Sequence, residues 1–85
     1  MLEKSRTEID EIDTKIVELL AQRLELCRKI GEFKKKNNLP IQNKEREKQI
    51  IKDQVRKLKE LGFDDQKFVQ ELFEVIMKKA REVQK

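Results

Sequence analysis

The first ~36 residues constrain this chain more than any other feature. Apolar side chains at Ile9, Ile12, Ile16, Leu19, Leu26, Ile30 and Phe33 recur at helical spacing, and Leu20 and Cys27 widen the stripe. No Pro or Gly interrupts the pattern until Gly31, which weakens a helix without ending this one. The spacing predicts a single helix from about Leu2 to Asn37, stopped by Asn37-Asn38-Leu39-Pro40. At 1.5 Å per residue such a helix is about 54 Å long. A compact domain of 85 residues has a radius of gyration of only about 12 Å. The rest of the chain cannot enclose a helix of that length.

Two further helices follow. The second starts near Lys44 with Asn43 as N-cap, buries Ile51, Val55 and Leu58, and ends at Gly62 acting as a C′ glycine. The third is capped by Asp64 or Asp65 and presents Phe68, Val69, Leu72, Phe73, Ile76, Ala80 and Val83. With Gly 2 and Pro 1 there is little material for turns, so the expected fold class is all-α: three helices per chain with a long N-terminal helix. Residues 1–85 read as one domain. Neither shorter helix can shield the whole stripe of the first, and the economical solution is a homodimer in which the long helices pair.

Composition removes most catalytic classes. There is no His, so a His-based triad, a His metal site and His acid–base chemistry are excluded; a single Cys excludes an internal disulfide framework. No run approaches the ~18 apolar residues of a membrane span, and Met1-Leu2-Glu3-Lys4 does not resemble a signal peptide, so a cytoplasmic protein is expected. The net charge of +4 comes from 21 basic and 17 acidic residues interspersed along the chain, which argues against a nucleic-acid binder. Abundant Lys and Glu fit a heat-stable protein.

Polar residues in apolar places carry the functional signal. On a helical wheel Arg23 and Lys34 fall inside the stripe of the first helix, where a purely structural protein would carry Leu or Ile. A buried cation without a partner is costly. Either alone fits a snorkelling or ion-paired side chain; two on one stripe, about 16 Å apart along the axis, can grip one small anion between them. Glu47 lies one turn before Ile51 on the same face of the second helix, with Arg46 at its edge. Gln84 follows Ala80 by one turn and continues the buried stripe of the third helix, unless that end frays. Arg6 sits about 25 Å along the helix from Arg23, so it can join the same site only from a partner chain. Four cations, one carboxylate and one amide, with no activated nucleophile, suit a ligand with at least two negative charges. They also suit a reaction that needs only orientation and electrostatic stabilisation. Cys27 reads as a small core residue, and Lys35 and Lys36 as solvated.

At these residues the sequence resembles the all-helical class of chorismate mutases. The matching stretches are Arg6-Thr7-Glu8-Ile9-Asp10-Glu11-Ile12-Asp13, Leu19-Leu20-Ala21-Gln22-Arg23, Ile30-Gly31-Glu32-Phe33-Lys34 and Pro40-Ile41-Gln42-Asn43-Lys44-Glu45-Arg46-Glu47. Together the R-x₂-I-x₂-I-D, L-L-x₂-R, I-x₃-K and R-E elements are specific, and the likeness covers nearly the whole chain. It implies an intertwined homodimer with two equivalent sites. It also implies rearrangement of chorismate to prephenate by a Claisen-type shift, without cofactor, metal or covalent intermediate. By the same resemblance, Arg6 of the partner chain and Arg23 would bind substrate carboxylate. Lys34 would contact carboxylate and ether oxygen, Gln84 the ether oxygen, Glu47 the ring hydroxyl, and Arg46 would support the site by charge.

Two positions depart from the family pattern. Asn43 stands where many members have Asp, and can still cap its helix; Ala80 stands where some have Ser, and lacks a hydroxyl contact. Members are often fused to or bound by another enzyme of the pathway, and feedback control usually involves such parts, so no intrinsic allosteric site is expected here. An isochorismate pyruvate-lyase shares this fold and a similar cationic site and stays open as an alternative, as does a non-catalytic helical dimerisation module.

Overall fold

The structure, a computed structural model describing residues 1–85, has three helices and no strands: α1 (Leu2–Lys36), α2 (Lys44–Glu60) and α3 (Gln66–Gln84). The helix ends follow local chemistry. Asn37 closes α1, its backbone N–H donating to the Phe33 carbonyl at 3.1 Å and its side-chain amide to the same oxygen at 2.8 Å. Asn38 then turns the chain with φ of 54°, a left-handed value that Asn tolerates better than most residues. The Asn43 side chain accepts from Arg46 N–H at 3.0 Å and caps α2; Asp65, not Asp64, caps α3 by accepting from Phe68 N–H at 3.1 Å. Gly62, with φ of 105°, ends α2 in the conformation only glycine adopts without strain.

Helix α3 packs against both α1 and α2, whereas α1 and α2 do not pack on each other. The molecule is accordingly open, 54 × 24 × 16 Å, with a radius of gyration of 15.7 Å against the ~12 Å of a compact chain this long. Only six residues are buried, among them Cys27, Val69, Met77, Ala80 and Gln84. Every residue of α1 before Arg23 is exposed. The stripe read from the sequence is therefore present but uncovered: Ile9 is 54% exposed, Ile16 50% and Leu19 62%. The total accessible surface is 7362 Å², whereas a compact monomer of this mass exposes about 5,400 Å².

The core of α3 differs from the expected face. Phe68 and Leu72, read as buried, are exposed at 53% and 43%, while Met77, not singled out by the pattern, is buried. The cause is the placement of α1, which covers α3 only from about Arg23 onward. Burial follows Val69, Met77, Ala80 and Gln84, with half-buried Phe73 between the first two, a single line at spacings of three and four. No helix is long and apolar enough to cross a membrane.

Candidate functional site

A cavity of about 430 Å³ lies where the second half of α1, the start of α2 and the last turns of α3 converge. That volume suits a small metabolite. Its apolar walls come from Leu26, Ile30, Ile41, Ile50 and Met77, and its charged groups are Arg23, Lys34, Arg46, Arg81 and Glu47. Four cations thus face one carboxylate.

Lys34 is the best-defined polar group. Its half-buried ammonium donates to Gln84 Oε1 at 2.9 Å and to the Ile41 carbonyl at 2.6 Å. The first bond joins residues 50 positions apart in the chain; the second exists because the turn at Asn38 and Pro40 folds the connecting segment back over the end of α1. Gln84 itself is 8% exposed, and helical order reaches it, so it is not a frayed end. With Oε1 accepting from Lys34, its Nε2 remains an uncommitted donor on a residue that lines the cavity. Lys35 adds a contact to the Lys85 carbonyl, which helps tie the end of α3 to α1.

Arg23 shares this wall. Its guanidinium is half-buried and donates weakly to Cys27 Sγ at 3.6 Å, leaving most of its donors uncommitted. Arg46 is exposed at the cavity mouth, and Asn43 lines it while capping α2. Ala80 is buried in the floor. Glu47 Oε2 accepts from Arg81 at 2.8 Å, and its Oε1 lies 3.5 Å from Gln42 Nε2.

Seven of the eight residues singled out from the sequence therefore meet at one cavity. Arg6 does not: it is exposed on the uncovered half of α1, away from the cavity that Arg23 of the same chain lines. Arg81 was missed. It sits in the basic run Lys78-Lys79-Ala80-Arg81, which looks like a solvated face, and only the approach of α2 gives it a partner.

The clearly displaced titrations lie elsewhere. A hydrogen bond from Arg28 holds the Glu25 carboxyl below the usual carboxylate range, and the same pair pushes the Arg28 guanidinium up. Neither residue lines the cavity, and both are solvent-exposed. No cluster of side chains that could hold a metal ion is present.

The family model and two sequence relatives point to one family. The family model described as chorismate mutase type II matches residues 5–85. A chorismate mutase of Methanocaldococcus jannaschii is 36% identical over 84 residues, covering 99% of this chain and 84% of that protein. A bifunctional chorismate mutase/prephenate dehydratase of Aquifex aeolicus is 47% identical over 60 residues, covering 71% of this chain but only 17% of the relative. Among solved structures, a conserved hypothetical protein from Pyrococcus furiosus superposes with a TM-score of 0.79 at 34% identity, covering 99% of this chain and 95% of that one.

Proposed function

This chain belongs to the chorismate mutase type II family, and we propose that the cavity at Lys34 is where it isomerises chorismate to prephenate. The observation that carries this reading is the pairing of Lys34 Nζ with Gln84 Oε1 at 2.9 Å on a wall shared with Arg23. The rearrangement breaks one C–O ether bond and forms one C–C bond in a single cyclic electron shift. No proton moves, no nucleophile is consumed, and no cofactor is needed. What the protein supplies is a folded substrate conformation and compensation for the negative charge that grows on the ether oxygen.

Each group has a part in that. Lys34 and the free Nε2 of Gln84 donate to the ether oxygen, and their attraction strengthens as the bond breaks, so they bind the transition state better than the substrate. Arg23 binds substrate carboxylate and holds the reactive conformer. Glu47 accepts from the ring hydroxyl, Arg46 adds positive potential at the mouth, and Asn43 and Ala80 complete the wall. Residues 1–85 act as a single domain of this kind.

The working unit is an intertwined homodimer. Its support is the surface excess of roughly 2,000 Å² over a compact monomer, together with the uncovered Ile and Leu side chains of α1. Obligate dimers bury areas of that order and more. In that assembly Arg6 reaches the partner's cavity and supplies the second carboxylate contact.

The test is to supply chorismate to the purified protein and identify the product by chromatography. Prephenate from the parent, and a fall of at least ~100-fold in Lys34→Ala with unchanged circular dichroism, is the expected result. Release of pyruvate from isochorismate with no prephenate from chorismate would transfer the site to the lyase reaction. No conversion of either substrate by a folded dimer would remove the catalytic reading.

A further inference from the structure

Gly31 lies in the middle of α1's last three turns and is buried. Its backbone angle is not one that requires glycine, since the positive-φ glycine of this chain is Gly62. Glycine inside a helix weakens it, so the reason for this one is spatial. A Cβ on Gly31 would stand 2.6 Å from both the Cα and the carbonyl oxygen of Gln84, and 2.9 Å from its Cβ. Two of those three atoms are main chain, so no change of rotamer relieves the overlap. α1 and α3 touch here backbone to backbone.

The same contact governs the reacting groups. Lys34 follows Gly31 by about one turn of α1, and Gln84 is the residue pressed onto Gly31. The height at which the last turn of α3 seats on α1 thus fixes the separation of Gln84 Oε1 from Lys34 Nζ, now 2.9 Å. Ordinary van der Waals contact for an added Cβ begins at 3.4 Å, so any side chain at this position lifts the Gln84 backbone by about an ångström. A displacement of that size at a reacting group is enough to cost on the order of 100-fold in rate.

We propose that Gly31 is a positioning residue for the rearrangement, its missing Cβ seating the last turn of α3 so that the Gln84 amide meets Lys34 Nζ. This rests on the roles given above to Lys34 and Gln84. The rest of α3 is anchored by Val69, Met77 and Ala80, which are buried, so the last turn can lift without the fold being lost.

A double-mutant cycle between Gly31→Ala and Gln84→Ala separates positioning from simple packing. In the parent background, Gly31→Ala is expected to lower kcat about 100-fold with KM within about threefold. In the Gln84→Ala background the same change is expected to lower kcat less than about threefold, because the group it displaces is already gone. Circular dichroism and sedimentation of all four proteins accompany the kinetics. An equal loss in both backgrounds, or Gly31→Ala proteins that do not fold in either, would make Gly31 a structural glycine and overturn the proposal. If Gln84→Ala alone leaves kcat unchanged, the assignment of Gln84 fails first, a result distinct from equal losses on top of a damaging Gln84→Ala.

Discussion

Arg81 on α3 and Glu47 on α2 face each other across the cavity with 2.8 Å between guanidinium and carboxylate, their side chains 29% and 21% exposed. Because α1 and α2 do not pack on each other, the α2 wall is located through α3, and this ion pair is the polar link between those two walls. It occupies Oε2 of Glu47, while Oε1 lies 3.5 Å from Gln42 Nε2. The Glu47 carboxylate is thereby held in one orientation before any ligand arrives.

Replacing Arg81 by Met keeps most of the length of the side chain and removes the donor. Since a hydroxyl held by Glu47 is held in substrate and transition state alike, the loss should appear as uniform binding. The expected result is a KM raised about tenfold, equivalent to ~1.4 kcal/mol, with kcat within about threefold; Arg81→Lys should recover part of it. Steady-state kinetics on the three proteins decide this, and a fall in kcat at constant KM would contradict it.

Asn43 has two possible duties, and substitution separates them. Its side chain caps α2 at 3.0 Å from Arg46 N–H, and its position also lines the cavity. Loss of such a cap costs about 1 kcal/mol, which for a domain of this size lowers Tm by about 4–8 °C. Asn43→Ala should show that shift in thermal unfolding, while Asn43→Asp, which caps equally well, should keep both Tm and turnover near the parent. Strong loss of kcat in Asn43→Asp would mean that the amide itself touches substrate.

The sequence made some of this legible and concealed the rest for identifiable reasons. Arg23 and Lys34 stood out because a cation on an apolar stripe contradicts its surroundings, and Gln84 because it continued a buried line one turn beyond Ala80. The three helices followed from periodicity, and their ends from Asn43, from Asp64 or Asp65, and from Gly62; the structure chooses Asp65. Arg81 was hidden because its neighbours are basic too, and a charge among charges carries no contrast. Gly31 was visible only as a penalty to its helix, since its value depends on a backbone 53 positions away. Phe68 and Leu72 satisfied the helical pattern of α3, yet a single copy of α1 does not reach them; periodicity reports an apolar face without saying which chain covers it.

The uncovered stripe of α1 leads to a prediction about assembly. If a second copy covers it, folding and association are linked, and Tm must rise with protein concentration. A charge placed in the middle of the stripe, Ile16→Glu, should abolish the dimer in sedimentation and lower Tm at every concentration. A parent protein that sediments as a monomer, with a Tm independent of concentration, would show that the stripe is not covered in this way.

The contribution of Arg6 can be tested without any structure of the dimer. Arg6→Ala and Arg23→Ala should each abolish most activity when pure, because each site then lacks one carboxylate contact. In a mixed dimer the two defects segregate if Arg6 crosses between subunits. One site combines the intact Arg23 of the first variant with the intact Arg6 of the second, and the other site collects both losses. Random reassortment makes half of the dimers mixed, and half of their sites whole. Unfolding and refolding an equimolar mixture should therefore restore about a quarter of parental activity, by counting sites in a two-fold symmetric dimer. If Arg6 instead served its own chain, every site in the mixture would keep one defect and no activity would return. The geometry favours recovery, since Arg6 lies on the exposed half of α1 while Arg23 lines the cavity beside Lys34.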